Sequence, residues 1–403
     1  MSRFLLLPGN NTLSHIAKCL ALRDALESRG HEVLLAVSSK RAAFLERLGE
    51  SPRFVLPDLQ DADGEPLPTL SWFRPARVED CVRAEVALIR DLKPDAVLGV
   101  FRFTGPLSAT LANVPYDALI CGSMTPACEE VLGFAPDEPG AGEQRAALRF
   151  FREASARRMA PALTALGLAP VADTWQLLEG RRTFLWDFPE FQPLPQRPGY
   201  LHVGPLHWAG WPRAQVSADA LERLEGPIAF LALGTGHSAP RQIGRILEVL
   251  WQLGYSVALA LGGQQVTGLP LAPGRLAVFD FLPVETALAY AKLVVCHGGQ
   301  MLVFETMERR LPVFVLPQQP EQAQNGRCVE RMGCGQRMLR GLVFRGQPAA
   351  AEASFLALPI ARVAADLVEF LARSSLADDL DRSANALARY SGAQALAAAM
   401  ERT

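Results

Sequence analysis

Two histidines stand where chemistry could be done, and the first lies in the stretch Leu293 to Gly335, LVVCHGGQMLVFETMERRLPVFVLPQQPEQAQNGRCVERMGCG. Leu293 to Cys296 has the length of a buried parallel strand, His297-Gly298-Gly299 follows at once, and a helical pattern begins near Gln300. A strand that runs into glycines and then a helix is an anion site. Without Cβ atoms at Gly298 and Gly299 the backbone can approach a ligand, and the helix start offers unpaired N–H groups and its positive dipole end. Phosphate is the expected guest. A second strand, Val313 to Leu316, ends at Pro317 and a polar loop, Gln318 to Gln322, at the carboxyl edge where open α/β sheets bind ligands. Glu305 falls eight residues beyond His297, about two helical turns on. A carboxylate there can accept from two vicinal hydroxyls, whereas Glu308 reads as a solvated helix residue.

His15 is the second candidate, six residues after Gly9 and at the start of a helical pattern. That puts it at the carboxyl edge of the first strand, and an imidazole of ordinary pKa, about 6.5, suits taking a proton from a hydroxyl near neutrality. The plainer alternative is a helix-start histidine that only bonds the turn. Of the other histidines, His31 follows a helix stop and His237 follows a glycine loop whose backbone is the better contact.

The elements that must position these residues repeat. Arg3 to Leu7 is apolar, Gly9-Asn10-Asn11 turns, His15 to Ser28 is helical, Gly30 stops the helix, and Val33 to Val37 is the next strand. The same order returns with Ile228 to Leu233, Gly234-Thr235-Gly236, a helix over 241–253, Gly254 and Val257 to Leu261. A duplicated Rossmann-like opening predicts two doubly wound α/β domains facing a cleft. The expected division is 1–205, 206–380 and a last helix in 381–403, with Phe188 to Pro212, proline-rich and without helical period, as tail and linker. Pro94 to Val100 reads as a strand and Thr104 to Asn113 as the helix after it. The segments 58–80 and 122–145 show no clear period. Trp72, Phe73 and Met124 from them, with Phe101, are candidate walls of an acceptor pocket, the alternative being core residues under long loops. Helical patterns at 361–373 and 384–401 end the chain.

Composition narrows the class. With 403 residues there is room for two cores, and 42 acidic against 40 basic residues give no charge that asks for nucleic acid or an anionic membrane. The seven cysteines are irregularly spaced with no C-x-x-C, so reduced, metal-free and cytoplasmic is the expectation. The apolar start stops at Pro8, too early for a signal peptide, and no run reaches the roughly 18 apolar residues of a membrane span. Asp61-Ala62-Asp63-Gly64 has no strand before it and no glutamate to close a calcium loop, which leaves it a solvated loop. No phosphate-binding P-loop and no Gly-x-Ser-x-Gly elbow occurs.

His-Gly-Gly, Glu305, Leu-Pro-Val-Phe-Val-Leu-Pro, Glu321-Gln322, Asn325 and Gly333-Cys334-Gly335, in that order, resemble the donor-binding box of nucleotide-sugar glycosyltransferases of the two-domain GT-B type. The passage GVFRFTGPLSATLANVPY, Gly99 to Tyr116, resembles a strand-to-helix stretch of the same enzymes. The resemblance implies an inverting transferase that moves a sugar from a UDP- or dTDP-linked donor to a small-molecule acceptor, with the donor a substrate and no cofactor or metal. His297, with Gly298, Gly299 and Gln300, would hold the diphosphate, Glu305 the ribose and Glu321-Gln322 the sugar. Gly234-Thr235 would lend backbone contacts. Phe281 stands where the base stacks, and either does so or fills the core. His15 matches the base, and the last helix would cross back onto the first domain. The chain departs from the pattern at Met301-Leu302, where Gly-Thr or Gly-Ser is usual, and at Val100, commonly aspartate. Those departures keep two rivals in view: an epimerase of the same fold, and a catalytically altered relative that binds a partner or metabolite. With valine at 100, either another acidic group contacts His15 or transfer is limited to acceptors with acidic hydroxyls.

Overall fold

A computed structural model describes residues 1–402 apart from 11, 48, 51–52, 61–69, 211–218, 235–239, 271 and 346–347. The chain divides into two compact units. Unit 1 comprises Met1–Glu129, Ala146–Pro212 and Tyr390–Thr403, and unit 2 comprises Glu130–Arg145 and Arg213–Arg389. The expected boundary at 205/206 therefore falls at 212/213, residues 381–389 stay with unit 2, and residues 130–145 leave the first unit for the second.

In unit 1 the elements are β1 (Arg3–Pro8), α1 (Leu13–Glu27), β2 (Glu32–Val37), α2 (Ser39–Arg47), β3 (Phe54–Val55), α3 (Pro75–Leu92), β4 (Ala96–Val100), α4 (Gly105–Ala112), β5 (Tyr116–Ile120), α5 (Ala141–Ala165), β6 (Thr183–Leu185) and β7 (Tyr200–His202). The strands form one sheet in the order β3-β2-β1-β4-β5-β6-β7, parallel throughout. A parallel strand covered on both faces is apolar along most of its length, which is why Phe4 to Leu7 of β1 and all of β4 read as hydrophobic runs, whereas β5 buries Asp117 only by pairing it with Arg182. Register sets Leu5 beside Leu34 on one side and Val97 on the other. The stretch expected to be tail and linker contains the seventh strand, β7, paired to β6.

Unit 2 repeats the plan with α6 (Asp219–Glu222), β8 (Ile228–Ala232), α7 (Pro240–Gln252), β9 (Ser256–Ala260), β10 (Leu276–Phe279), α8 (Val284–Tyr290), β11 (Ala291–Cys296), α9 (Gln300–Glu308), β12 (Val313–Val315), α10 (Pro320–Met332), β13 (Gly335–Arg337), α11 (Pro348–Ala357), α12 (Ile360–Leu371) and α13 (Leu376–Leu387). Its sheet runs β10-β9-β8-β11-β12-β13, again parallel. Leu231, Leu259, Val295 and Phe314 from four of its strands share a core with α7, α11 and α12. In each sheet the strand order reverses beside the first strand, between β1 and β4 and between β8 and β11, and ligands of such sheets bind at the carboxyl ends there.

Two helix expectations need correction. The polar loop Gln318–Gln322 is in part helix: Pro320 opens α10, its missing N–H being no loss at a first helical position, so Glu321 and Gln322 sit in the first turn. The single helix expected over 384–401 is broken at Gly392, where the chain adopts φ +51° and a Cβ would fall on the Pro205 carbonyl oxygen. Beyond the break a separate helix, α14 (Ala393–Glu401), packs against α1 in unit 1, with Arg29 and His31 paired to Glu401 at 3.0 Å.

Candidate active site

In unit 2 the reversal point is lined by the loops leaving β8 and β11. His297 follows β11, and its ring fills the space that two glycines leave open. A Cβ on Gly234 would lie 2.8 Å from His297 Cε1, and one on Gly299 would lie 2.6 Å from Nε2. Gly298, at φ +92°, is needed for another reason, because its Cβ would meet Val315 at 2.6 Å and the Gln322 carbonyl at 2.8 Å. The glycines thus serve the fit of His297 and α10 first, and leave N–H groups of α9 at the edge beyond them. Burial lowers the pKa of His297. The Ala232 carbonyl opposes that shift, and Nδ1 is buried with no hydrogen-bond partner of normal geometry among the described residues. A buried ring nitrogen without a partner is costly unless a ligand satisfies it.

The helix α10 is locked to this loop. Asn325 Nδ2 donates to the Gly298 carbonyl at 2.9 Å and to Glu321 Oε1 at 2.6 Å, while Gln322 Oε1 accepts from the Gln318 N–H at 2.9 Å. Residues 130–145 dock on the same helix: Gly133 N–H donates to Gln324 Oε1 at 3.0 Å and Gln324 Nε2 to Glu130 Oε2 at 2.6 Å. Glu305 is half-buried on α9, and Gln300 opens that helix. Phe281 lies between β10 and α8 with 62% of its surface exposed, which removes the core-filling alternative. Its ring rests over Gly263, and Gln264 Nε2 donates to the Gly234 carbonyl at 2.7 Å. Thr235, like His237, lies outside the described residues.

In unit 1 the reversal point carries His15. It is 6% exposed on the first turn of α1, with its ring 5.3 Å from that of Phe101 and 5.8 Å from that of Trp186. Nδ1 lies 3.2 Å from the Gly9 carbonyl oxygen. A carbonyl only accepts, so Nδ1 carries the proton and Nε2 keeps its lone pair. Burial first, then Lys18 and Arg41, lower the pKa to about 3 against the opposing Gly9 carbonyl. Val100 is fully buried, and no carboxylate is among the groups that shift His15. Phe101 reaches His15 because it leaves β4 in the left-handed region, φ +51°. Its neighbour Arg102 anchors the bend, with Nη2 on Glu85 at 2.7 Å, Nη1 on Asp58 and on the Pro8 carbonyl, and Thr104 and Ser108 on Glu85 as well. A buried arginine with two carboxylates fixes geometry more than it adds stability.

The remaining wall candidates divide. Trp72 and Phe73 are fully buried, the latter edge-on to Phe103 at 5.2 Å, so they are core. Met124 is half-buried in the short turn Gly122–Met124. No sequence pattern singles out Lys18, Arg41 or Trp186, although Lys18 is one turn from His15 and Trp186 ends the apolar run of β6. Among the described residues no cluster of three or more His, Cys, Asp or Glu side chains could hold a metal, and no helix is long and apolar enough to cross a membrane.

No protein-family profile matches the chain. It is 25% identical over 342 residues, 80% of this chain and 74% of the relative, to the PGL/p-HBAD biosynthesis rhamnosyltransferase of Mycobacterium bovis (strain BCG / Pasteur 1173P2). Among solved structures, the glycotransferase of kitacinnamycin superposes with a TM-score of 0.73 at 19% identity, covering 100% of this chain and 98% of that one. Glycosyltransferase VinC in complex with DTDP gives 0.67 at 16%, covering 100% and 99%. The fold is two parallel-sheet α/β units of the GT-B type. Sequence relatives and structural neighbours alike are named glycosyltransferases, which supports an enzyme that transfers sugar.

Proposed function

We propose that the chain is an inverting, metal-independent, cytoplasmic glycosyltransferase that uses a dTDP- or UDP-linked sugar as donor and a small molecule as acceptor. The observation that carries this reading is the β11–α9 edge, where His297 Nδ1 is buried without a hydrogen-bond partner among the described residues, beside the first N–H groups of α9. A diphosphate supplies acceptors for both. The exposed Phe281 offers a face to a pyrimidine base, and Glu305 and the Glu321-Gln322 turn offer acceptors and donors to ribose and sugar. A solved neighbour that holds DTDP supports thymidine first and uridine second.

In the proposed reaction the acceptor oxygen attacks the anomeric carbon opposite the diphosphate. The carbon–oxygen bond to the diphosphate breaks, its electron pair leaves on phosphate oxygen, and the acceptor proton passes to His15 Nε2. Helix N–H groups and His297 take up the leaving charge, so a chelator should leave turnover unchanged. Nucleotide binding is the direct test. At a hundredfold excess over its dissociation constant, dTDP should stabilise the fold by about 2.7 kcal/mol, read as a melting shift, and His297→Ala should remove most of it. No shift with either dTDP or UDP at millimolar concentration sinks the reading.

A further inference from the structure

The imidazole of His15 is held by main chain, and that main chain is held by one buried arginine. His15 Nδ1–H donates to the Gly9 carbonyl at 3.2 Å, which leaves the lone pair on Nε2. The peptide unit before that carbonyl, Pro8–Gly9, is gripped at both ends: its N–H donates to the Val100 carbonyl at 2.7 Å, and its carbonyl accepts from Arg102 Nη1 at 3.3 Å. Gly9 has no room to shift toward β4, where a Cβ would already fall 2.4 Å from the Phe101 carbonyl oxygen. All five N–H groups of the buried Arg102 are engaged. Nε and Nη2 donate to Glu85 Oε1 at 2.9 and 2.7 Å, Nη2 also to the Pro57 carbonyl at 3.1 Å, and Nη1 to Asp58 as well as to Pro8. Glu85 lies on α3 with no exposed surface, and the Thr104 and Ser108 hydroxyls donate to its two oxygens at 2.5 Å. A buried ion pair of this kind returns little net stability, so what it contributes is the arrangement it imposes on the joint between β1 and β4.

We propose that Arg102, backed by Glu85, is a positioning residue for His15. Where a histidine does acid–base work, a carboxylate on Nδ1 commonly sets the tautomer and the ring orientation and also steadies the imidazolium. Here Val100 is buried and apolar, and no carboxylate is among the groups that shift His15. The first two tasks pass to the Gly9 carbonyl, and Arg102 keeps that carbonyl in place through the Pro8–Gly9 peptide. The same guanidinium fixes the left-handed bend at Phe101, φ +51°, whose ring stands 5.3 Å from the imidazole. Arg102 itself stays charged throughout and moves no proton. The inference rests on the transferase reading above, in which Nε2 takes the acceptor proton, and deepens it by naming what aims Nε2.

Nitrogen NMR on histidine-labelled protein reads the tautomer, with the His15 signals assigned by their loss in His15→Ala, and transfer from dTDP-rhamnose and from UDP-glucose to a panel of aliphatic and aromatic alcohols reads its use. The native protein should carry hydrogen on His15 Nδ1 alone. Arg102→Lys should mix the two tautomers and lower kcat about 100-fold, the scale of misplacing a reacting group, with the KM for the donor and the dTDP melting shift unchanged. In a chain that already carries His15→Ala the same change should lower kcat no further, because the group it aims is gone. An arginine that only stabilises the fold would cost the same factor in both chains. Should Arg102→Lys not fold, Ser108→Ala, which takes one donor from Glu85, should give both effects in smaller measure. Hydrogen on Nε2 in the native protein overturns the proposal, as does a folded variant that keeps one tautomer, or equal losses with and without His15. Absence of transfer and of any dTDP melting shift defeats the transferase reading, and the tautomer then still decides whether Arg102 aims the ring.

Discussion

The two units solve one problem in opposite materials. In each, a glycine follows the first strand of the sheet and is pressed by whatever leaves the neighbouring strand across the reversal point. In unit 1 a Cβ on Gly9 would fall on the backbone carbonyl oxygen of Phe101, and in unit 2 a Cβ on Gly234 would meet the ring of His297. Both departing loops kink through the left-handed region, at Phe101 with φ +51° and at Gly298 with φ +92°. Unit 1 accepts the strain of a bulky residue there, held by the Arg102 network, and so sets a ring against His15. Unit 2 uses glycine and sets backbone and an imidazole at the edge. In the proposed function the bend of unit 1 offers side chains to an acceptor, and that of unit 2 offers peptide groups to a diphosphate.

The sharpest way to break this comparison is Gly9→Ala. The obstacle is main chain, fixed from both sides by β4 and by the Gly9 N–H bond to the Val100 carbonyl at 2.7 Å. The substitution should cost about 3 kcal/mol in urea unfolding, the upper part of the overpacking range. Phe101→Ala in the same chain should recover none of that, since the carbonyl stays. A loss under about 1 kcal/mol would mean that the β4 loop yields, and that the first unit is not the rigid one.

The two histidines differ under acid as well. His15 ionises at about 6.5 unfolded and about 3 folded. Its neutral form is therefore stabilising in full above pH 6.5, and that contribution is lost as pH falls from there toward 3, because the unfolded chain takes the proton first. At pH 4.5, two units below, the loss is on the order of 3 kcal/mol. His15→Gln should remove most of the fall in stability between pH 7 and 4.5. His297→Gln should act in the same direction but less, as its ring is partly accessible and its pKa is lowered by burial alone. Equal effects would contradict the contrast in surroundings.

Much of this was legible in the sequence, and for a physical reason. Parallel strands buried on both faces are continuous apolar runs, and glycines at their ends are forced by close approach, so the openings at residues 3–37 and 228–261 were readable. The loop after β11 and the first-turn place of His15 followed. What failed was whatever depends on distant partners. Residues 130–145 belong to unit 2 because Gln324 and Arg337, far along the chain, bond Gly133 and Glu138. Trp72 and Phe73 looked like pocket walls because nothing local shows that they are covered. The break at Gly392 depends on Pro205, and the approach of Trp186 to His15 and Lys18 depends on β6 lying two strands from β4 in the sheet. The helix α5 escaped for a different reason, since it carries Pro161 inside, whereas α3 does show helical spacing in Val78, Cys81, Val82, Val86 and Ile89.

The smallest effect is the most discriminating. Gly234→Ala meets two penalties, a φ of +80° worth about 1–2 kcal/mol against an L side chain, and the push of the new Cβ on His297 Cε1 and Nδ1. The second penalty lies in a side chain and can be removed. His297→Ala should relieve it while leaving the first untouched, so the double variant should be more stable than the sum of the single changes predicts by about 1 kcal/mol, within the range for residues in contact. The corresponding cycle in unit 1, Gly9→Ala with Phe101→Ala, should show a coupling near zero, because there the offending atom is a carbonyl oxygen that the substitution keeps. If the two cycles couple equally, the obstacle in unit 2 is main chain too. His297 would then be a passive filler of the glycine gap, and the claim that this half of the molecule is arranged around an imidazole with a partnerless nitrogen would fall with it.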